Sequence, residues 1–358
     1  MIWLAVIVFI VMLLVLVLVH EWGHYFAAKK AGCTVEEFGF GFPPRVASFV
    51  KNGTRWSFNL LPIGGFVKIT GENMDQEDPG PDSFASKSAT WRIIILAAGV
   101  VMNIVLAVVL LGIQSGIGAP TLVTDENAHL LTDHKTYILG VGEDTPAAEA
   151  ELKEFDRIVS IGSVMDPTVD DVQTIVQERS GETLTLEIDR QGQRIDKEVL
   201  ARANPPEGEG ALGISLASTG LEKTAWWKTP WEGVKRTGQL TVAIVTQFGL
   251  LLQRLFSEGQ VGEALSGPIA IAVYTNEATQ MGLPYLLEFA ALISINLAII
   301  NILPFPALDG GRILFVILEK ILGRRVPGKI ESVVHTAGFV FLIALMVLIT
   351  FKDVQRYI

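Results

Sequence analysis

Residues 2–24 read IWLAVIVFIVMLLVLVLVHEWGH, eighteen uncharged residues that run straight into His20-Glu21-Trp22-Gly23-His24. With the next turns added, the apolar run is long enough for a helix that crosses a bilayer. No basic n-region precedes it and no small-residue cleavage site closes it, so a retained span fits better than a cleaved signal peptide. Residues four apart on a helix share a face. His20 and His24 can therefore offer two imidazoles to one metal ion, with Glu21 beside them as a general base. The HExxH pattern is short enough to recur by chance, and its weight comes from where it stands. Ionisable groups at membrane depth are costly unless paired or coordinated, so they mark function by default. The plain alternative is an interfacial His/Glu cluster that ends a span.

Working outward, the 358-residue chain is 50% hydrophobic and 18% charged with a mean hydropathy of +0.43, which excludes an all-soluble protein. Further apolar stretches at 93–113, 286–303 and 336–351 predict three more spans. The stretch 242–256 is shorter and holds Gln247, Gln253 and Arg254, as expected for an amphipathic helix on the membrane surface. Its approach carries Trp226, Trp227 and Trp231, a residue type that favours the interface. One cysteine, Cys33, rules out an internal disulfide framework and a cysteine-rich zinc site, which leaves His and carboxylate as metal ligands. The net charge of −10 argues against nucleic acid as a partner.

Lys and Arg set the orientation. They cluster between the first and second spans (Lys29, Lys30, Arg45, Lys51, Arg55, Lys68, Lys87, Arg92) and after the third (Arg312, Lys320, Arg324, Arg325, Lys329). By the positive-inside rule both stretches are cytoplasmic, which puts the segment between the second and third spans, and both termini, outside. Residues 120–220 hold eight Lys/Arg against twenty Asp/Glu, so this insert supplies the acidity of the whole chain. Its runs at 157–162 and 183–189 predict strands and 169–178 a helix, together a compact α+β domain.

A catalytic zinc site needs a third protein ligand and an open position. His129 and His134 fall in the insert, and His335 at the edge of the fourth span reads as interfacial. Asp309 follows the third span in NILPFPALDGG (301–311), where Pro304 and Pro306 must break the helix. Irregular backbone survives in a membrane only when it is buried in protein or lines a wet cavity, so Asp309 and Asn301 are candidates for a central site. The alternative is a proline-terminated span with Asp309 capping the next helix.

HExxH in a first span, an inserted domain and N-x-x-P-x-P-x-L-D-G-G after a later span together resemble the site-2 protease family of intramembrane zinc metalloproteases, most closely its bacterial branch. Within the insert, GVGEDTPAAEAELKEFDRIVSIGS (140–163) resembles a bacterial PDZ domain, a module that receives an extended peptide by strand addition. Such domains usually have glycine where this chain has Glu151 and Phe155. SFNLLPIGGFVKITGE (57–72) resembles the family's membrane-associated β-hairpin region, LSGPIAIA (265–272) its segment before the third span, and Gly39-Phe40-Gly41 its cytoplasmic loop. The chain departs from the family in lacking a proline in Gly99-Val100-Val101-Met102-Asn103 and in having one PDZ-like unit where well-known members have two.

The resemblance implies a multi-pass α-helical membrane protein of about four transmembrane helices, with a membrane-associated β-hairpin region and an inserted α+β PDZ domain. Its parts would be a first membrane half (1–115), an extracytoplasmic PDZ domain (116–220), an amphipathic connection (221–284) and a second membrane half (285–358). It implies one zinc ion held by His20, His24 and Asp309, with Glu21 as general base and Asn301 holding the substrate backbone or oxyanion. Substrate contacts would fall at Gly64, Gly65, Phe66, Val67, Asn103 and Pro304. A strand at 58–68 could hold an unwound substrate by main-chain pairing, although Gly64 and Gly65 also suit an ordinary turn. The substrates implied are single-pass membrane proteins already cut by another protease, such as anti-sigma factors or signal-peptide remnants, in a bacterial inner membrane. Two readings of other classes are a non-catalytic PDZ scaffold, which would need no general base, and a zinc transporter.

Overall fold

The computed structural model describes residues 2–72, 80–124, 127–190, 192–206, 209–258 and 267–357; of the LSGPIAIA stretch, Leu265 and Ser266 lie outside them. Helix α1 (Ile2–Lys30) carries the apolar run through HExxH without a break. Its many β-branched residues do not hinder it, because in lipid only intrahelical bonds satisfy the backbone. It closes at Gly32, left-handed at φ +71°, with Cys33 N–H donating to Ala28 O.

A long antiparallel hairpin follows, β1 (Val35–Lys51) and β2 (Thr54–Ile69). The chain reverses at Asn52-Gly53, both at positive φ, the pattern of a two-residue hairpin turn. Gly64 and Gly65 lie inside β2, where Gly65 pairs with Phe40 amid register shifts; Phe40 also pairs with Phe58, so the hairpin folds over on itself just before these glycines, Gly64 being at φ +91°. The near end of the hairpin buries Val35, Phe38 and Ile69, and the first and last of these join a cluster with Ala28, Ile95 and Leu96. The far end exposes Val46, Phe49, Val50, Phe58, Leu60 and Leu61. Helix α2 (Ala89–Ile117) packs closely on α1, since a Cβ on Gly23 would stand 2.3 Å from Ala98 O.

Next come β3 (Ala119–Leu122), β4 (Thr132–Val141), α3 (Pro146–Glu149), β5 (Arg157–Ile161), β6 (Val164–Met165), α4 (Val169–Glu178), β7 (Thr183–Arg190), β8 (Gln193–Leu200) and β9 (Ile214–Glu222). They form one antiparallel sheet in the order β3-β9-β4-β5-β7-β8, with β6 on β5. The alternating run of β7 buries Leu184, Leu186 and Ile188 against Ile138, Ile158 and Val172. A capping box between Thr168 and Asp171 starts α4. Strands over 157–161 and 183–190 and a helix over 169–178 stand where the sequence predicts them.

The chain ends with α5 (Thr229–Glu258), α6 (Pro268–Met281), α7 (Leu283–Ile302), α8 (Asp309–Leu322) and α9 (Gly328–Tyr357). Helix α5 is twice as long as the predicted surface helix, and the sequence reading did not anticipate α6. Helix α7 stops before Pro304, and α8 stops at Gly323, which is left-handed. Among the described residues, four helices are long and apolar enough to cross a bilayer: Val6–Lys30, Ala89–Ile117, Leu283–Ile302 and Gly328–Arg356. The chain divides into two compact units. One is Met1–Gly112 with Pro230–Asn276 and Leu287–Ile358; the other is Ile113–Thr229 with Glu277–Leu286.

Candidate metal centre

Helix α1 places His20 and His24 one turn apart on its buried side, and the two Nε2 atoms lie 3.1 Å from each other. Asp309, the first residue of α8, brings Oδ2 to 3.1 Å from His20 Nε2 and 3.4 Å from His24 Nε2. A tetrahedral ion with bonds of about 2.0–2.1 Å sets its ligand atoms about 3.3 Å apart. The triangle of two imidazole nitrogens and one carboxylate oxygen has that size.

The proton inventory also fits a cation. His24 Nδ1 is 2.9 Å from the carbonyl of Ile95, so in the neutral ring Nδ1 carries the hydrogen and Nε2 presents a lone pair. Asp309 Oδ2 has no hydrogen-bond partner although it is buried. Lone pairs that converge on one point repel one another unless a positive ion stands between them, and two imidazoles with a carboxylate suit zinc.

These groups border a cavity of about 180 Å³ whose wall includes Glu21, Phe66, Val67, Glu72, Ile95 and Arg312. Glu21 follows the first histidine and approaches β2 at Gly65, where a Cβ would lie 3.5 Å from Glu21 Cγ. Arg312 forms an ion pair with Glu72, which joins α8 to the chain just after β2. A second cavity of about 350 Å³ reaches Asp309 from its other side, between the 307–312 segment and His335, Thr336 and Phe339 of α9.

The structure thus brings together His20, His24, Asp309, Glu21, Phe66 and Val67 around one cavity, with Gly65 against Glu21. Gly64 lies one residue on, where a Cβ would meet the Phe42 ring at 2.8 Å. Asn301 is partly buried in the last turn of α7 and Pro304 is exposed; among the described residues neither lines the cavity. Asn103 is wholly buried in α2, its amide nitrogen 3.4 Å from His20 Nδ1. His335 lies outside the trio but has a partner that its place at the edge of the predicted fourth span did not suggest. Its Nδ1 accepts the Ala307 N–H at 2.9 Å and so supports the loop that delivers Asp309. No spacing in the sequence announces that bond, the Glu72–Arg312 pair or the Ile95 carbonyl, because each joins elements far apart along the chain.

A trio able to hold a metal, with a carboxylate beside it and long apolar helices around it, is the equipment that a membrane hydrolase working with a metal needs. The model of Peptidase family M50 matches residues 8–345, and the chain belongs to that family. It is similar to a protein named zinc metalloprotease RasP of Oceanobacillus iheyensis, at 30% identity over 98% of this chain and 99% of the relative. A putative zinc metalloprotease of Clostridium perfringens is 33% identical over 95% of both chains. The regulator of sigma-W protease RasP of Bacillus subtilis is 29% identical over 98% of each.

Proposed function

We propose that this peptidase works through a zinc ion held by His20, His24 and Asp309, with Glu21 as its general base. The carrying observation is the convergence of the two Nε2 atoms and Asp309 Oδ2 within 3.4 Å on the wall of a cavity that Glu21 shares. The chain is a zinc metalloendopeptidase of the membrane. When bound, zinc supplies Lewis acidity for attack on a peptide carbonyl in a site shielded from bulk water. Glu21 takes a proton from the attacking water and returns it to the leaving amine. Asn301, at the broken end of α7, holds the substrate backbone or oxyanion, and Pro304 borders the same path.

A helical substrate hides its carbonyls in its own hydrogen bonds and must unwind before attack. The strand β2, with Gly64, Gly65, Phe66 and Val67 beside the cavity, holds the unwound segment by main-chain pairing. The apolar far end of the hairpin supports a seat in the bilayer. The acidic insert is a PDZ domain on the extracytoplasmic side of a bacterial inner membrane. It acts as a size filter that admits single-pass proteins already shortened by another protease. The name of the B. subtilis relative supports anti-sigma factors as the substrate class.

The test compares zinc content and cleavage of a single-pass substrate by the detergent-purified protein and its variants. Glu21→Gln is expected to keep zinc and lose about 10²–10⁴-fold in turnover. His24→Ala and Asp309→Ala are expected to lose both. Full zinc stoichiometry in Asp309→Ala would sink the assignment of the third ligand.

A further inference from the structure

Helix α2 presents Ile95, Gly99 and Asn103 at four-residue spacing, one stripe along the helix, and the stripe lies against His20 and His24. Ile95 offers its carbonyl to His24 Nδ1 at 2.9 Å. Gly99 leaves room for both rings, since a Cβ there would lie 2.4 Å from His24 Nε2 and 2.7 Å from His20 Cε1. Asn103 puts its amide 3.4 Å from His20 Nδ1. Asn103 is 0% exposed, and its backbone carbonyl accepts the Ser294 hydroxyl of α7 at 2.8 Å, so the residue is anchored.

The amide of Asn103 has two orientations that exchange its nitrogen and oxygen. With the nitrogen toward His20, Nδ1 must accept, and the ring hydrogen moves to Nε2, where it points at Asp309 and blocks a metal bond. Asn103 Oδ1 is then buried with no partner. With the oxygen toward His20, Nδ1–H donates to it and Nε2 keeps its lone pair. One amide N–H is then left in place of the bare oxygen, so hydrogen-bond count does not separate the two. The tautomer that a metal requires does.

We infer that Asn103 is a positioning residue: its amide oxygen accepts the Nδ1 hydrogen of His20 and fixes Nε2 toward the zinc, as the Ile95 carbonyl does for His24. The inference rests on the reading of His20 as a zinc ligand, and it gives Asn103 a role beneath the metal site in place of a substrate contact. Outer partners of metal-bound imidazoles orient the ring and raise its basicity, and losing one costs about 10–100-fold in metal affinity.

The test is zinc affinity of the full-length protein in detergent, by competition with a chromophoric chelator, for the native chain, Asn103→Leu, Asn103→Asp and His20→Ala. Asn103→Leu has similar volume but no acceptor, and its affinity should fall about 10–100-fold, with full occupancy restored by excess zinc. Asn103→Asp can only accept and should bind zinc at least as tightly as the native chain. Native affinity in Asn103→Leu, or a loss in Asn103→Asp, overturns the proposal. So does a raised KM in Asn103→Leu at unchanged zinc affinity, which would return the residue to substrate binding. If Asn103→Leu does not fold, Asn103→Asp decides alone. Native affinity in His20→Ala would instead refute the ligand set itself.

Discussion

Gly310 follows Asp309 at the point where α8 starts against the broken end of α7. A Cβ at this position would stand 2.2 Å from the carbonyl oxygens of both Ile302 and Leu303, so any side chain must push α8 away. Gly310→Ala is therefore expected to shift Asp309 and lower cleavage by about 10²-fold, the scale of a misplacement of about 1 Å, with a matching fall in zinc retention. Native zinc content and turnover in that variant would show that the loop absorbs the methyl group. The meeting of His20, His24 and Asp309 was legible in the sequence because helical spacing alone sets His20 against His24, and two prolines mark where the chain must bend toward Asp309. Asn103 was legible only as the one strongly polar residue of an apolar span; its partner was not, since which face of α2 meets α1 depends on packing. Glu151 and Phe155 teach the converse. The resemblance sets glycine at these positions, and both residues here adopt left-handed backbone, at φ 56° and 67°. That conformation costs about 1–2 kcal/mol per residue. It is held by Arg190, which donates to Glu151 O at 2.7 Å, and by Phe155 N–H, which donates to Ile138 O at 2.8 Å.

Among the elements, α2 is the platform. It supplies the stripe under the histidines and, at its start, Arg92, whose guanidinium meets Glu319 of α8 at 2.6 Å with both side chains less than 10% exposed. Glu319 also accepts the Val326 N–H at 3.1 Å, so one carboxylate ties α2 to α8 and to the segment beyond it. A buried pair is costly to break from one side, because the remaining charge has no partner. Glu319→Ala is expected to destabilise the protein by about 3–5 kcal/mol, seen as a lower Tm in detergent. The double change Arg92→Met with Glu319→Leu should recover most of the loss; if it does not, the pair does more than cancel its own burial. Hydropathy located all four spans, since a bilayer imposes length and apolarity on any crossing helix, but only the second and third within a few residues at each end; the fourth begins eight residues before the predicted stretch. It gave no warning of α6, whose mixed composition fits no single periodicity. Nor did it mark Asn52-Gly53, the turn pair at the tip of the hairpin.

At the scale of the whole molecule, the sheet of the insert and the candidate metal centre belong to separate compact units. The insert begins and ends on paired antiparallel strands, with Thr121 opposite Gly220. Its ends are therefore neighbours, and a short linker can replace it. Excision of residues 121–218 is expected to leave zinc content intact and to let the enzyme cut substrates with bulkier ectodomains. Loss of all cleavage at normal zinc content would show that the insert is part of the catalytic machinery and not a filter. The two-part organisation was legible from the acidity and strand patterning of the insert, whereas the division of the stretch after it was not, because α5 belongs with the membrane helices and residues 277–286 with the sheet. The order of the ligands along the chain has a further effect on the cell that makes it. His20 and His24 leave the ribosome well before Asp309, so over that interval a chain still in synthesis holds the two imidazoles of the proposed site without its carboxylate. On the proposed ligand set such a chain cannot close a zinc site, and it stays inert among its neighbours in the bilayer until α8 has been made.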